Sequence, residues 1–351
     1  MSDVARVNEL PDRIENEEAL EELLSRPTPY VIDALSKIDG DILILGVAGK
    51  MGPTLARMAV RASRGAGIKR RIIGVARFSN ASHQAALEQD GVTTIRADLL
   101  DQKQLDALPE APNVIYMPAM KFGSTNQEAL TWAMNTYLPG MCAQRYAQSR
   151  IVAFSTGNIY GLSPVLFGGS TEDGPMNPIG DYAMSCLGRE RMFEHFSRVN
   201  GTPVSIIRLN YSTELRYGVI VDMAMTIAAG KPVDLTMGNF NAIWQTDANA
   251  MTLAALAHTS SPPFVLNVAG PELLSVRSVA MQLASRMNKD IEFTGVEAPD
   301  ALLSNGQLGH KLFGYPTVPI ARVIDWTADW ITSGGSSLGK PTHFESRSGS
   351  Y

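Results

Sequence analysis

Short aliphatic runs recur along the first 210 residues, separated by stretches in which apolar positions return every three or four residues. The runs at 41–45 (DILIL), 70–76 (RRIIGVA), 92–97 (VTTIRA), 113–119 (NVIYMPA), 150–156 (RIVAFST) and 203–209 (PVSIIRL) read as strands. Helical periodicity is clearest over 126–148 and 181–199, and residues 16–38 read as two short helices separated by RPTPY. Apolar strands alternating with helices predict an α/β fold, a Rossmann-type doubly wound parallel sheet covered on both faces. After 209 the alternation loosens. RYGVIVDMAMTIAAG, DANAMTLAALAH and SVRSVAMQLASRM read as helices and PFVLNVAG as a strand, which predicts a smaller, mostly helical C-terminal substrate lobe. The expected organisation is an N-terminal helical extension (1–39), a nucleotide-binding domain (40–208, completed by parts of 245–270), a substrate lobe (209–335) and a tail (336–351). The glycine- and serine-rich tail is either a free end or a strip laid back over the lobe or a dimer partner; KPTHFE (340–345) is its least end-like part.

Composition narrows the function classes. The chain has 351 residues, 45% of them hydrophobic, enough for a large core. A net charge of −5 gives no drive toward nucleic acid or anionic membrane. No apolar run approaches the ~18–20 residues of a membrane span. The acidic start, MSDVARVNELPDRIENEEALEELL, lacks the apolar region of a signal peptide. Two cysteines, Cys142 and Cys186, offer no disulfide framework, so a cytoplasmic, reducing location is expected. The five histidines show no metal-ligand spacing, and no metal is expected.

Candidate chemistry begins after the first strand. Gly46, Gly49 and Gly52 form G-x-x-G-x-x-G (GVAGKMG, with Lys50 and Met51 between) where a strand gives way to a helix. Glycine permits a tight turn and close approach to a pyrophosphate, and the helix terminus offers free N–H groups. At the end of the second strand an acid would bind an adenosine ribose and repel a 2′-phosphate. GVARFSN has none, so Arg77, Ser79, Asn80 and Lys50 are available to a phosphate and NADP is preferred over NAD. Arg77 as a plain solvated cation is the alternative.

From about residue 40 to 290 the chain resembles the extended short-chain dehydrogenase/reductase family, the NAD(P)-dependent epimerase/dehydratase group. GVAGKMG matches the family's glycine motif. ADLLD (97–101) matches its adenine-side segment, with Asp98 and Leu99. VIYMPAMKFG resembles its fourth-strand segment and carries Lys121. MNTYLPG supplies the central-helix Asn135. FSTGNIYG places the family's catalytic Ser/Thr at Thr156, and DYAMSCLGRE matches Tyr-x-x-x-Lys with Tyr182 and Glu190 in place.

At the family's lysine position this chain has Cys186. The resemblance implies that this lysine would bind the nicotinamide ribose and lower the tyrosine's pKa. A thiol supplies no positive charge, so Tyr182 should titrate nearer about 10 and act better as a proton donor in reduction than as a base in oxidation. Lys121 is the first candidate for a substitute cation, with Arg189 on the next helical turn as the second. MGNFNAIWQTD (237–247) lacks the arginine with which nucleotide-sugar members commonly hold a diphosphate. Arg208 or Arg216 could replace it; otherwise a free sugar, sugar acid or polyol fits better. The expectation is an NAD(P)-dependent oxidoreductase or epimerase on a carbohydrate-like hydroxyl/carbonyl pair, a homodimer by resemblance. The competing expectation is a catalytically impaired NADP-binding regulator or scaffold.

Overall fold

The computed structural model describes residues 10–121 and 126–349. Phe122 and Gly123 of the fourth-strand segment, residues 1–9 of the N-terminal extension and residues 350–351 of the tail lie outside the described residues. Seven parallel strands form the central sheet: β1 (Ile42–Leu45), β2 (Ile72–Ala76), β3 (Thr93–Arg96), β4 (Asn113–Tyr116), β5 (Arg150–Thr156), β6 (Val204–Leu209) and β7 (Phe264–Val268). Their spatial order is β7-β6-β5-β4-β1-β2-β3. The direction of winding reverses between β1 and β4, where a doubly wound sheet opens a crevice at its carboxyl edge. β1, β2 and β4 are buried throughout and β3, at the edge, is not.

Helices cover both faces, as expected for strands without a polar side. One face packs against α2 (Pro29–Ser36), α3 (Gly52–Gly65) and α10 (Gln245–Ala254), through residues such as Leu35, Leu55, Met58 and Met251. The other packs against α5 (Gln102–Asp106), α7 (Leu138–Arg145) and α8 (Gly180–Asn200), through Leu105, Met141 and Phe193. The C-terminal lobe has its own core, where α9 (Val219–Ala228), α11 (Val276–Met287) and α13 (Ile320–Thr332) meet. Besides these helices, the lobe carries two-residue strand pairs such as Asn239–Phe240 with Leu274–Ser275. The two N-terminal helices part company. Leu20, Leu23 and Leu24 of α1 (Glu17–Leu24) enter the lobe core, whereas Val31 and Leu35 of α2 join the sheet core.

The helix expected over 126–148 is not one α-helix. It runs as α6 (Glu128–Trp132), a π-helical turn (Ala133–Tyr137) and α7. Pro139 in the first turn of α7 has no N–H to give to residue 135, so the preceding turn widens there. Asn135 uses that wide turn. Its side chain accepts from Met120 N at 2.9 Å and donates to Met120 O at 2.9 Å and to Ser185 Oγ at 3.1 Å. It thereby ties the segment after β4 to α8.

Candidate active site

β1 delivers the glycine loop to the crevice. Gly46 has φ +80°, and a Cβ there would lie 3.0 Å from the Pro118 nitrogen. A Cβ on Gly52 would come within 2.1 Å of the Val47 carbonyl oxygen, so this glycine lets loop and helix pack. Gly49 differs: a Cβ there would have no neighbour nearer than 3.5 Å, so its open side faces the cleft. Met51 precedes α3 without a side-chain cap, which leaves the first-turn amides to a ligand. Glycine turn, open face and uncapped helix terminus together fit a pyrophosphate.

The end of β2 lies outside the cleft wall. Arg77 and Ser79 are exposed there, on either side of the buried Phe78. Asn80 is committed to capping α4 (Ala81–Gln89), accepting from Ser82 N at 2.9 Å. Asp98 accepts from Leu100 N at 3.1 Å, while Leu99 is buried in the sheet core. Lys50 does not turn toward Arg77. Its ammonium lies 3.1 Å from the Tyr217 ring centroid, on the lobe side, which removes it from the group expected around a 2′-phosphate.

Two further expectations are corrected. Arg208 cannot serve a substrate diphosphate: it is 2% exposed and bound to Glu190 (Nη2 to Oε2, 2.8 Å), Tyr160 (2.7 Å) and the Glu172 carbonyl (2.8 Å). Arg216 is held by Glu214 at 3.1 Å and by Glu21 at 2.6 Å. Each guanidinium already has its carboxylate, so neither faces a ligand.

The cleft, of about 340 Å³, brings Gly46, Gly49, Lys50 and Met51 together with Lys121, Thr156 and Tyr182. β5 presents Thr156, whose Oγ1 accepts from Asn158 N at 3.2 Å. The first turn of α8 presents Tyr182. Cys186, one turn on, is fully buried among Ile159, Tyr160 and Tyr182, does not line the cleft, and is hydrogen-bonded to the Tyr182 side chain. Burial pushes its thiol pKa up, so it stays neutral. Two cations stand near. Lys121 Nζ lies 5.7 Å from the Tyr182 ring centroid and donates to the Thr342 carbonyl at 3.4 Å. Burial lowers Lys121 to about 8, against the pull of the acids Asp222 and Glu345. Arg189 also reaches the cleft wall, donating to Phe154 O and Asn135 Oδ1, each at 2.9 Å.

The sequence did not mark Tyr211, Ser212, Tyr217 or Gln245, which also line the cleft. The tail arrives as well. Thr342 is buried and donates from N and Oγ1 to Asp222 at 2.7 and 2.5 Å, while Phe344 enters the lobe core beside Phe240. Only the unusual KPTHFE composition pointed to this. Among the described residues no group of three or more His, Cys, Asp and Glu could hold a metal ion, and no helix is long and apolar enough to cross a membrane.

No curated protein matches by sequence. Solved structures share the fold. The UDP-glucuronic acid 4-epimerase of Bacillus cereus, in complex with NAD, superposes with a TM-score of 0.68 at 18% identity, over 84% of this chain and 99% of that one. The UDP-glucose 4-epimerase of Thermotoga maritima, with UDP-glucose, gives 0.69 at 16%, over 84% and 99%. The dTDP-glucose 4,6-dehydratase of Bacillus anthracis, in complex with NAD, gives 0.69 at 16%, over 84% and 97%. The sequence profile of the NAD dependent epimerase/dehydratase family matches residues 42–269, more than half of the chain. The protein belongs to the NAD dependent epimerase/dehydratase family.

Proposed function

We propose that this protein is an NAD(P)-dependent oxidoreductase or epimerase acting on the hydroxyl/carbonyl pair of a carbohydrate-like substrate. The observation that carries this reading is the meeting of the Thr156 and Tyr182 side chains with the glycine loop in one cleft. Gly46, Gly49, Met51 and Gly52 with the α3 terminus would hold the pyrophosphate. Asp98 and Leu99 would line the adenine side. Arg77 and Ser79 would favour a 2′-phosphate, hence NADP over NAD. The bound nicotinamide supplies or accepts hydride at the substrate carbon.

The chain's own residues manage the proton. Thr156 would hydrogen-bond the substrate oxygen and Tyr182 would exchange a proton with it. Cys186 stands where the family has lysine. A neutral, buried thiol supplies no charge, so the positive field at Tyr182 would come from Lys121, with Arg189 behind it. Tyr182 then serves best as a proton donor in carbonyl reduction. The sheet domain over 40–208 would carry the cofactor and the lobe over 209–335 the substrate. A homodimer through the helices 128–145 and 180–200 is supported by a groove of about 540 Å³ lined by Trp132, Tyr137, Met192 and Phe196.

The test is NADPH oxidation with a panel of keto-sugars. Tyr182→Phe should lower turnover by about 10²–10⁴-fold and leave NADPH affinity within about twofold. The fully buried Cys186 favours one competing reading, a non-catalytic NADP-binding regulator or scaffold. NADPH binding with no oxidation by any substrate would decide for it.

A further inference from the structure

The chain between Leu338 and Gly349 runs from the lobe to the helix that carries Tyr182. Leu338 N donates to the Arg216 carbonyl at 3.0 Å, one residue before Tyr217 of the cleft wall. Lys340 and Thr342 line the cleft itself. Thr342 is 1% exposed and donates from N and Oγ1 to Asp222 of α9 at 2.7 and 2.5 Å. Phe344 enters the lobe core, and Arg347 donates to the Asp300 carbonyl at 3.0 Å and to its carboxylate. Gly349 then meets the start of α8. A Cβ on Gly349 would lie 2.1 Å from the Ile179 carbonyl oxygen, and one on Gly180 would lie 2.6 Å from the Gly349 carbonyl oxygen. Tyr182 follows Gly180 by two residues.

On its way this segment touches Lys121. The Thr342 carbonyl accepts from Lys121 Nζ at 3.4 Å, and that ammonium lies 5.7 Å from the Tyr182 ring centroid. Glu345 on the segment and Asp222 beneath it both favour the Lys121 charge, against burial. Thr342 is thus held by Asp222 through its donors and meets Lys121 through its acceptor. A long lysine side chain is costly to keep in one rotamer, so fixed partners decide where its charge lies.

We propose that this segment is a strap and that Thr342 is a positioning residue, holding Lys121 beside Tyr182. Lys121 follows β4, Asp222 belongs to the lobe and Tyr182 to α8, so the strap joins three walls of the cleft. What the strap does for the reaction rests on the reading of Tyr182 as proton donor; its restraint of Lys121 is a separate matter.

The experiment compares full-chain variants by two readouts. The first is acetylation of Lys121 by acetic anhydride, followed by peptide mass spectrometry. It is read as the plateau rate at high pH, where protonation no longer limits the amine. Thr342→Val keeps the shape and removes one bond to Asp222, so the strap opens more often and the plateau rate should rise at least about fivefold. Thr342→Ser keeps the hydroxyl and should stay within about twofold of the unaltered protein. Gly349→Ala forces the far end off Ile179 and should raise the rate in the same direction. The second readout is kcat for keto-sugar reduction. Thr342→Val should lower it about fivefold in the unaltered protein and less than about twofold in a Lys121→Met background, because the strap acts through Lys121. Unchanged acetylation in both Thr342→Val and Gly349→Ala, or an equal kcat loss in the two backgrounds, would overturn the proposal. The two readings fail separately. Faster acetylation in Thr342→Val with no turnover by the unaltered protein keeps the strap and removes hydride transfer. Turnover with unaltered acetylation does the reverse.

Discussion

Two groups of buried charge lie close together in this molecule and are built on opposite rules. Beneath β6, Arg208 meets Glu190 through three short contacts and hands its remaining donors to Tyr160 and the Glu172 carbonyl. Burial works against its charge, yet the Glu190 hydrogen bonds and charge outweigh it and hold the guanidinium above its ordinary pKa. In the cleft, burial, helped by Lys121 and Lys340, outweighs the pull of Asp222 and Glu214 and lowers Lys50 to about 6. A charge completed from within is structural. A charge set among both signs at an opening, and partly stripped of water, is held less firmly. Both are cationic positions in the sequence; the partners tell them apart.

The strongest way to break the contrast is Glu190→Ala. It leaves Arg208 buried without its carboxylate and should cost ~3–5 kcal/mol in denaturant unfolding. Glu190→Met with Arg208→Leu should recover most of that loss, because the cost lies in the uncompensated charge. Retained stability in the single variant would mean that Arg208 finds water or another acid.

Lys50→Met sharpens the other side. A lysine whose folded pKa lies below its unfolded value of about 10.4 contributes full stability only above that value, and the contribution is lost as pH falls toward about 6. Wild-type stability measured against Lys50→Met should therefore rise with pH across that window. The limiting slope is ~1.4 kcal/mol per unit, reduced by solvent screening of this half-buried group. Lys121, lowered to about 8, adds its own slope above that pH in both proteins, so the comparison is read between pH ~6 and ~8. Parallel pH profiles would show that Lys50 carries no such burden.

The smallest effect is expected at Arg77, an exposed cation at the end of β2. Arg77→Ala should weaken NADPH by about tenfold and NADH by less than about twofold, read by fluorescence titration. Equal losses, or tighter NADH in the wild type, would reduce Arg77 to a solvated end.

These contrasts also mark what could be read in the chain beforehand. The glycine loop and the six strands anticipated through residue 209 were legible because their constraints are local: φ at Gly46, van der Waals contact at Gly52, apolar runs of four to seven residues. Thr156 and Tyr182 were nameable by their order along the chain, and they do share a cleft. Arg208 was misread because Glu190, eighteen residues earlier, pairs with it only once α8 lies on the sheet. Lys50 points to the lobe because Tyr217 is there to receive it, a contact across 167 residues that no spacing announces. The π-turn at 133–137 escaped for a related reason. Helical periodicity over 126–148 is nearly the same with or without one widened turn, and the bonds of Asn135 to Met120 and Ser185 settle which is adopted.

The placement of α1 has a consequence for how the chain reaches this state. Leu20, Leu23 and Leu24 find their core among helices that begin only at Val219, and the Trp326 indole donates to the Pro11 carbonyl across 315 residues at 3.0 Å. The sheet can condense from neighbours in sequence, and α3 offers Arg57 and Arg61 to Glu21 and Glu22 of α1, but the leucines of α1 have no apolar core to enter until the lobe helices from Val219 onward exist. Closing so long a loop costs little more than closing a short one, since the penalty grows only logarithmically with length. The burden falls on time instead: contacts of this separation slow folding, and until they form an amphipathic helix waits with its leucines in water. The order of assembly is thus written into the topology, sheet first and lobe last, with the first described helix among the last to settle.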